Sequence, residues 1–383
     1  MTEQAHDEDM NEANPRLVEL IGSQIQAAGG FIPFVDYMEL VLYHPQYGYY
    51  TRPRKRIGKD GDFITSVSIG RCFGKLLARH FASYLGRMGD CCRDLVLVEP
   101  GAEDGHLALD VMRELKQVLT EEVYNRLCYV AIEPFDGKKE RLLDIFGSED
   151  SDRFRVVSSL NDLKGSSGVL MANEFLDAMP IERLRWREGE WWRICVASDP
   201  QKATPFHEVE APIQDPELAG LVDDLPIHLE DGFTIELNTN LKQWFHDLAQ
   251  NFNLLYCCLI DYGFDGGEVF SPSRKGGTLR GYLRHRFQNC PFDAPGMTDL
   301  TAHVDFDRVK KSATSVGFDI LNFTDQHRFL VNAARPWLLE IEGVGSTEDE
   351  NRQLLKQFQT LSHPTMMGGV FKVLEIGRGV TAP

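Results

Sequence analysis

Residues 95–107 read LVLVEPGAEDGHL, and this stretch decides the fold. An apolar run of strand length ends at Glu99 and passes into a turn that carries Gly101 and Gly105. Residues 105–118 then show helical spacing. An apolar run, a glycine-bearing turn and a helical period make a strand–turn–helix unit. Working outward, the unit recurs. YVAIE (129–133) is a second strand and 137–146 a second helix, while RFRVVSS (153–159) and GVLMAN (168–173) are further strands. This alternation predicts a parallel, doubly wound α/β sheet. Such sheets bind ligands beyond the carboxyl ends of their strands.

Upstream, residues 1–14 are polar and acidic and predict a disordered tail. Leu17, Leu20, Ile21 and Ile25 repeat at helical spacing up to Gly29 and Gly30. An aromatic-rich stretch follows, with Phe31, Phe34, Tyr37, Tyr43, Tyr47, Tyr49 and Tyr50, then a basic loop from Thr51 to Asp62 and a helical pattern over 69–85. Downstream, IERLRWREGEWWRICV (181–196) reads as a hairpin turning near Glu188 and Gly189, and the polar, proline-bearing 198–231 as an insertion. The sheet pattern returns with a helix near 239–250, where Leu241, Trp244, Phe245 and Leu248 form one face. NLLYCCLIDYG (253–263) is a buried strand, 264–304 is rich in Gly, Pro and basic residues, and a helix near 305–316 and a final FKVLEIG strand close the chain. The organisation expected is a tail over 1–14, a helical and aromatic-rich segment over 15–90, and a core over 91–383 with an insertion at about 181–232.

Composition narrows the function classes. Hydrophobic residues make up 43% of the 383, enough for a sizeable core. Lys and Arg number 40 against 58 Asp and Glu, a net charge of -18, which argues against a nucleic-acid partner. Arg52, Arg54, Lys55, Arg56 and Lys59 form one basic run, read as a solvated loop. The 8 cysteines include no C-x-x-C, and no His cluster has zinc spacing, so no metal is expected and the thiols read as small buried side chains. The N-terminus is neither a secretory signal nor an Arg-rich transit peptide. No run approaches the ~18 apolar residues of a membrane span. A cytoplasmic protein without a membrane partner is therefore expected.

Four places could carry chemistry. In the turn after the first strand, glycine lets backbone approach a ligand, but the G-x-G-x-x-G spacing of dinucleotide enzymes is absent. Methyltransferases place an acidic residue before glycines at alternate positions. Glu99, Gly101 and Gly105 fit that pattern, with Glu103 at the middle glycine; an ordinary strand–helix turn would read the same way. Glu133, ending the second strand, can accept two ribose hydroxyls or can be a surface carboxylate. In Asn173-Glu174-Phe175-Leu176-Asp177-Ala178-Met179-Pro180, one helical turn would put Glu174 and Asp177 on one side. Two carboxylates there could grip a guanidinium, or simply start a helix. Gly61-Asp62-Phe63-Ile64-Thr65 is a turn before a strand, Asp261-Tyr262-Gly263 is similar, and His303 reads as structural.

Together these pieces resemble the MidA-like family, which includes a mitochondrial arginine methyltransferase. The resemblance is ordered along the chain. It runs through Tyr37-Met38, Leu42-Tyr43-His44-Pro45, Gly48-Tyr49-Tyr50, Gly61-Asp62-Phe63, Phe73-Gly74 and the Glu99 turn. It continues through Asn173-Glu174 with Asp177-Ala178 and Pro180, Asp261-Tyr262-Gly263, Gly277-Thr278-Leu279-Arg280 and Asp299-Leu300-Thr301 to Phe371-Lys372-Val373. It implies a Rossmann-like class I methyltransferase core with an N-terminal helical segment and an inserted lobe. It implies S-adenosylmethionine as cofactor, faced by the Gly61-Asp62-Phe63 loop and the Glu99 turn, and a protein arginine as acceptor. On that frame Gly61, Glu99, Gly101, Gly105 and Glu133 hold the cofactor, and Asp62 closes over it. Glu174 and Asp177 orient the guanidinium, Asn173 lines the channel, and a homodimer is the candidate assembly. This chain departs from the family in Glu103 for glycine, in Val67-Ser68 for Pro-Glu, and in Pro134 for Ser. The departures support an alternative expectation, a catalytically degenerate methyltransferase-fold binding or assembly factor.

Overall fold

Seven strands of one sheet carry the fold: β1 (Leu95–Pro100), β2 (Leu127–Ile132), β3 (Phe154–Val157), β4 (Ser166–Asn173), β5 (Phe252–Phe264), β6 (Asp319–Asp325) and β7 (Phe371–Arg378). Six of them come from the runs read above, and β6, from the partly polar DILNFTD, is not among those runs. The computed structural model describes residues 13–52, 65–147, 151–199, 201–202, 204–226, 229–284, 286–288, 290–344 and 349–382. The strand order is β3-β2-β1-β4-β5-β7-β6, and the two-residue strand Val304–Asp305 pairs with the end of β5. β1 to β5 pair in parallel, and β7 runs antiparallel between β5 and β6. The order reverses between β1 and β4, and the crevice outside that reversal is where such sheets bind ligands. The register lines up the chemistry: Glu99 lies opposite Ala131, and Ile260 opposite Asn173. Glu99, Glu133, residues 173–177 and Asp261 therefore emerge at one edge.

Both sheet faces are covered, as an internal parallel sheet requires. On one face Leu97, Tyr129, Met171 and Tyr256 lie in a core with the helices Cys72–Gly89, His106–Val118, Gln326–Val344 and Asp349–Ser362. On the other, Val98, Leu170, Cys257 and Leu259 meet the helices Leu241–Asn251 and Phe306–Ser315. Leu241, Phe245 and Leu248 are the buried stripe of the first of these. Asp305 caps the second, accepting from the backbone N–H of Asp307 at 3.1 Å and of Arg308 at 3.3 Å.

The expected hairpin forms from Glu182–Arg187 and Glu190–Ser198, with Glu188 (φ 53) and Gly189 (φ 86) both left-handed in the turn. It belongs to an antiparallel sheet with Phe31–Pro33, Phe206–Pro212 and Thr234–Leu237. The polar 198–231 stretch is thus partly ordered as the strand Phe206–Pro212 and the helix Pro216–Val222. Its polarity reflects ion pairing across the sheet: Arg185 reaches Glu208 at 2.8 Å and Glu210 at 2.9 Å. Residues 264–304 likewise hold a three-stranded sheet, Arg280–Leu283, Arg286–Gln288 and Asp299–Thr301, whose strands are too short to show a period. Tyr37 packs against Phe34, Phe206 and Phe292, joining the N-terminal helices to these sheets. Cys72, Cys195, Cys257 and Cys258 are buried, whereas Cys91 is exposed, so the expectation of buried thiols does not extend to it. No described helix is long and apolar enough to cross a membrane.

Candidate active site

After β1 the chain turns through Gly101 (φ 69), Glu103 (φ 48) and Gly105 (φ 71), all left-handed. Glycine adopts that conformation freely, and a residue with a Cβ does so at a cost of ~1–2 kcal/mol. Gly105 is constrained again by packing: a Cβ there would stand 3.0 Å from Phe146 and 3.2 Å from Leu142. Glu103 keeps the glycine-type backbone and turns its carboxylate to Lys138 Nζ, 2.9 Å away. The same ammonium lies 3.2 Å from Glu133 Oε2. Glu133 is buried just past β2, and its Oε1 accepts the backbone N–H of Phe135 at 3.1 Å. Glu99 is buried too and accepts a hydrogen bond from the Tyr129 hydroxyl. Burial pushes the Glu99 carboxyl up to about 7, against the pull of that hydrogen bond.

The segment after β4 is a turn rather than the expected helical start, because Glu174 is left-handed (φ 51). Asp261, at the end of β5, explains the shape. Its Oδ2 accepts the backbone N–H of Leu176 at 2.9 Å and of Asp177 at 3.2 Å, and its Oδ1 accepts that of Tyr262 at 2.9 Å. The Tyr262 hydroxyl donates to Asp177, and Asn173 Nδ2 donates to Glu174 Oε1 at 3.2 Å. Burial pushes Glu174 up to about 8; Asp177 repels in the same direction, while Asn173 and the backbone of Ser66 oppose it. Burial also pushes Asp177 up to about 6, opposed by Tyr262, and Asp261 well above the usual range. Asn173 Oδ1 and Asp177 Oδ1 are buried and make no hydrogen bond among the described residues. His303 stacks on Phe264 with centroids 4.9 Å apart, burial lowers it to about 4, and its buried Nδ1 makes no hydrogen bond among the described residues.

Two adjoining cavities open here. One, of about 250 Å³, is lined by Glu99, Gly101, Asn173, Glu174 and Asp177, with Glu103, Asp104 and Asp299 and the rings of Tyr49, Tyr50, Tyr262 and Tyr282. Its described lining contains no Lys or Arg. The other, of about 310 Å³, is lined by Glu133, Phe135, Lys138, Leu160, Phe175 and Trp244, and shares Tyr50, Gly101, Glu103 and Glu174 with the first. Glu133 beside aromatic and aliphatic side chains can take a nucleoside, and the acidic cavity can take cations. Gly105 lines neither cavity and packs instead against Phe146 and Leu142. Gly61 and Asp62 lie outside the described residues, as do residues 1–12 of the expected tail and Arg54, Lys55, Arg56 and Lys59 of the basic run; Thr65 and Val67 line the first cavity. Sequence reasoning gave no role to Lys138, Tyr262 or Asp299, whose Oδ1 accepts from the Tyr50 hydroxyl at 2.9 Å. Asp299 and Tyr262 did stand within the ordered motifs, but Lys138 carried no signal.

The profile of a family of S-adenosyl-L-methionine-dependent methyltransferases, Methyltransf_28, matches residues 76–324, and this chain belongs to that family. The mitochondrial protein arginine methyltransferase NDUFAF7 of Homo sapiens is 29% identical over 383 residues, covering 94% of this chain and 83% of the relative. The mitochondrial homolog of Drosophila melanogaster is 28% identical over 377 residues, covering 92% and 83%. A COG1565 superfamily member from Burkholderia thailandensis, solved with S-adenosyl-homocysteine bound, aligns with a TM-score of 0.82 at 29% identity, covering 96% of this chain and 93% of its own. The fold is that of class I methyltransferases, and the enzyme uses S-adenosylmethionine. The degenerate-factor reading gains no support over this one. The cytoplasmic expectation is overturned: these curated relatives are mitochondrial proteins, and an acidic N-terminus assigns no compartment.

Proposed function

We propose that this enzyme methylates a guanidinium nitrogen of arginine in a partner protein. The observation that carries the reading is the acidic, tyrosine-walled cavity with no basic side chain in its described lining. Such a wall attracts a guanidinium and repels phosphate-bearing acceptors. The arginine methyltransferases among the relatives support the same acceptor. S-adenosylmethionine, when bound, supplies a methyl group activated on a positively charged sulfur. In this reading Glu133 accepts ribose hydroxyls, the left-handed Gly101 admits close backbone approach, and Glu99 closes the turn from below. Glu174 and Asp177 hold the guanidinium edge and keep one nitrogen aimed at the methyl, so that positioning supplies most of the rate. The nitrogen that gains the methyl gives up one proton. Glu174, raised by burial to about 8 in the ligand-free site and ionised once the cation pairs with it, receives it.

Calorimetric titration of the wild-type protein with S-adenosylhomocysteine is expected to give a micromolar Kd, roughly −8 kcal/mol. Glu133→Ala is expected to weaken it by about tenfold, or 1.4 kcal/mol. With labelled S-adenosylmethionine, label should enter arginine peptides and not their lysine counterparts. Label in lysine or in hydroxyl groups would rule out the guanidinium reading.

A further inference from the structure

The turn after β1 poses a problem of its own. Glu103 is left-handed, between two left-handed glycines, at the place where both cavities meet. Its side chain leaves the backbone where a bound nucleoside needs room. Lys138 answers this from the next helix, Asp136–Gly147, which begins directly after β2 and Glu133. Its side chain is only 10% exposed, and its ammonium bridges two carboxylates from two different elements. A lysine is rarely buried to that extent without such partners. The neighbouring Lys139 shows the ordinary case, pairing at 2.9 Å with an Asp136 that is 93% exposed. Lys138, Glu103 and Glu133 instead all line the larger cavity. The consequence for Glu133 is geometric. One carboxylate oxygen is fixed by the Phe135 N–H and the other by Lys138, and each oxygen keeps a lone pair for a hydroxyl donor.

We propose that Lys138 is a positioning residue for the cofactor. It holds Glu133 ready for a vicinal ribose diol and draws the Glu103 carboxylate aside, which lets a turn without its middle glycine still admit the nucleoside. The proposal rests on the assignment of these cavities to S-adenosylmethionine made above. Removing the cation takes from Glu133 the anchor on its Oε2 and from Glu103 the ammonium that draws it aside. Removing Glu103 as well restores the room.

The test is calorimetric binding of S-adenosylhomocysteine to wild type, Lys138→Met and the double variant Glu103→Gly/Lys138→Met, with circular dichroism to show that each is folded. Lys138→Met is expected to weaken binding by about tenfold or more, and the double variant to recover most of that loss. The double variant also keeps the question open to test should the single one fail to fold. A second readout separates positioning from simple support of the fold. Removing the ribose 2′-hydroxyl from the ligand should weaken binding to wild type by about tenfold, and should matter much less in Lys138→Met. If wild type binds and folded Lys138→Met stays within about twofold of it, or the double variant binds no better than the single, the proposal is overturned. Absence of binding by wild type would overturn the cofactor assignment itself.

Discussion

Glu174→Gln is expected to lower kcat for arginine methylation by about 10²–10³-fold, with the Kd for S-adenosylhomocysteine unchanged within about twofold. The substitution keeps the size and hydrogen-bonding reach of the side chain and removes only its charge and its capacity to take a proton. The left-handed backbone at Glu174 is kept, and Asn173 can still donate to the retained carbonyl oxygen. In the ligand-free site burial holds the Glu174 proton up to about 8, so a neutral amide resembles the group already present at pH 7. Loss of folding is therefore not expected, and the loss belongs to the step in which the guanidinium is held and deprotonated. Steady-state kinetics on an arginine peptide, paired with a ligand titration, decides it. A kcat within about tenfold of wild type would remove Glu174 from the catalytic role.

The same residue sets a pH dependence. Glu174 at about 8 and Asp177 at about 6 both lie above the ordinary carboxylate range, with burial the leading cause in each. A cation pairs with the ionised forms, so its binding displaces protons. Affinity for an arginine peptide should climb as pH rises from about 6 to about 8 and level off beyond, with proton release visible across buffers of different ionisation enthalpy. The sign for folding is the opposite. A carboxyl whose folded value exceeds its unfolded one binds its proton more tightly when folded. Its stabilising contribution is complete below about 4.5 for Glu174 and is lost as pH rises through about 8. Glu99, raised to about 7, adds in the same direction. The ligand-free enzyme thus loses stability over the range in which it gains affinity for a cationic acceptor, and Glu174→Gln should flatten both trends.

How much of this was legible in the sequence depends on the reach of each interaction. β1 and β4 are runs of consecutive apolar residues because both of their faces are buried, and such runs are visible without any partner. Gly101 and Gly105 are visible for a similar reason, since a left-handed turn records itself in residue type. Glu174 and Asp177 could be picked out as a pair, but the geometry assumed for them was helical. What bends that segment is Asp261, 85 residues further on from Leu176, and no local pattern reports so distant a hydrogen bond. Lys138 is hidden for the same reason: it lies five positions past Glu133 beside a second lysine, Lys139, and only the folded turn shows that Lys138 is the one whose ammonium meets Glu103 and Glu133. The small sheet within 264–304 escaped because strands of three and four residues carry too few alternations to stand out among glycines and prolines.

Asp261→Ala is expected to cost about 3 kcal/mol of stability and most of the activity. Asp261 is 1% exposed and accepts three backbone N–H groups, those of Leu176, Asp177 and Tyr262. Alanine leaves all three without their acceptor, in a place with little access for water. A buried donor stripped of its partner costs about 1–3 kcal/mol, and relaxation of the turn should recover part of the sum. The chemical loss has a separate cause. The turn that Asp261 holds presents Glu174 and Asp177 to the same cavity, and the Tyr262 hydroxyl that donates to Asp177 is anchored through its own N–H on Asp261. With the turn free, the two carboxylates no longer keep a fixed separation, and a guanidinium gripped by one edge loses its aim. Displacement of such groups by about 1 Å can cost a hundredfold in rate. The ribose end of the nucleoside cavity should keep its function, because Glu133 and Lys138 belong to other elements, while Glu174 and Phe175, which also line that cavity, loosen with the turn. Urea unfolding, methylation kinetics and S-adenosylhomocysteine binding, measured on the same preparation, separate these effects. An unfolding free energy within about 0.5 kcal/mol of wild type would show that water or another acceptor replaces Asp261, and the account of the turn would fall. Loss of stability with full activity would leave the turn intact as structure and sever it from the chemistry.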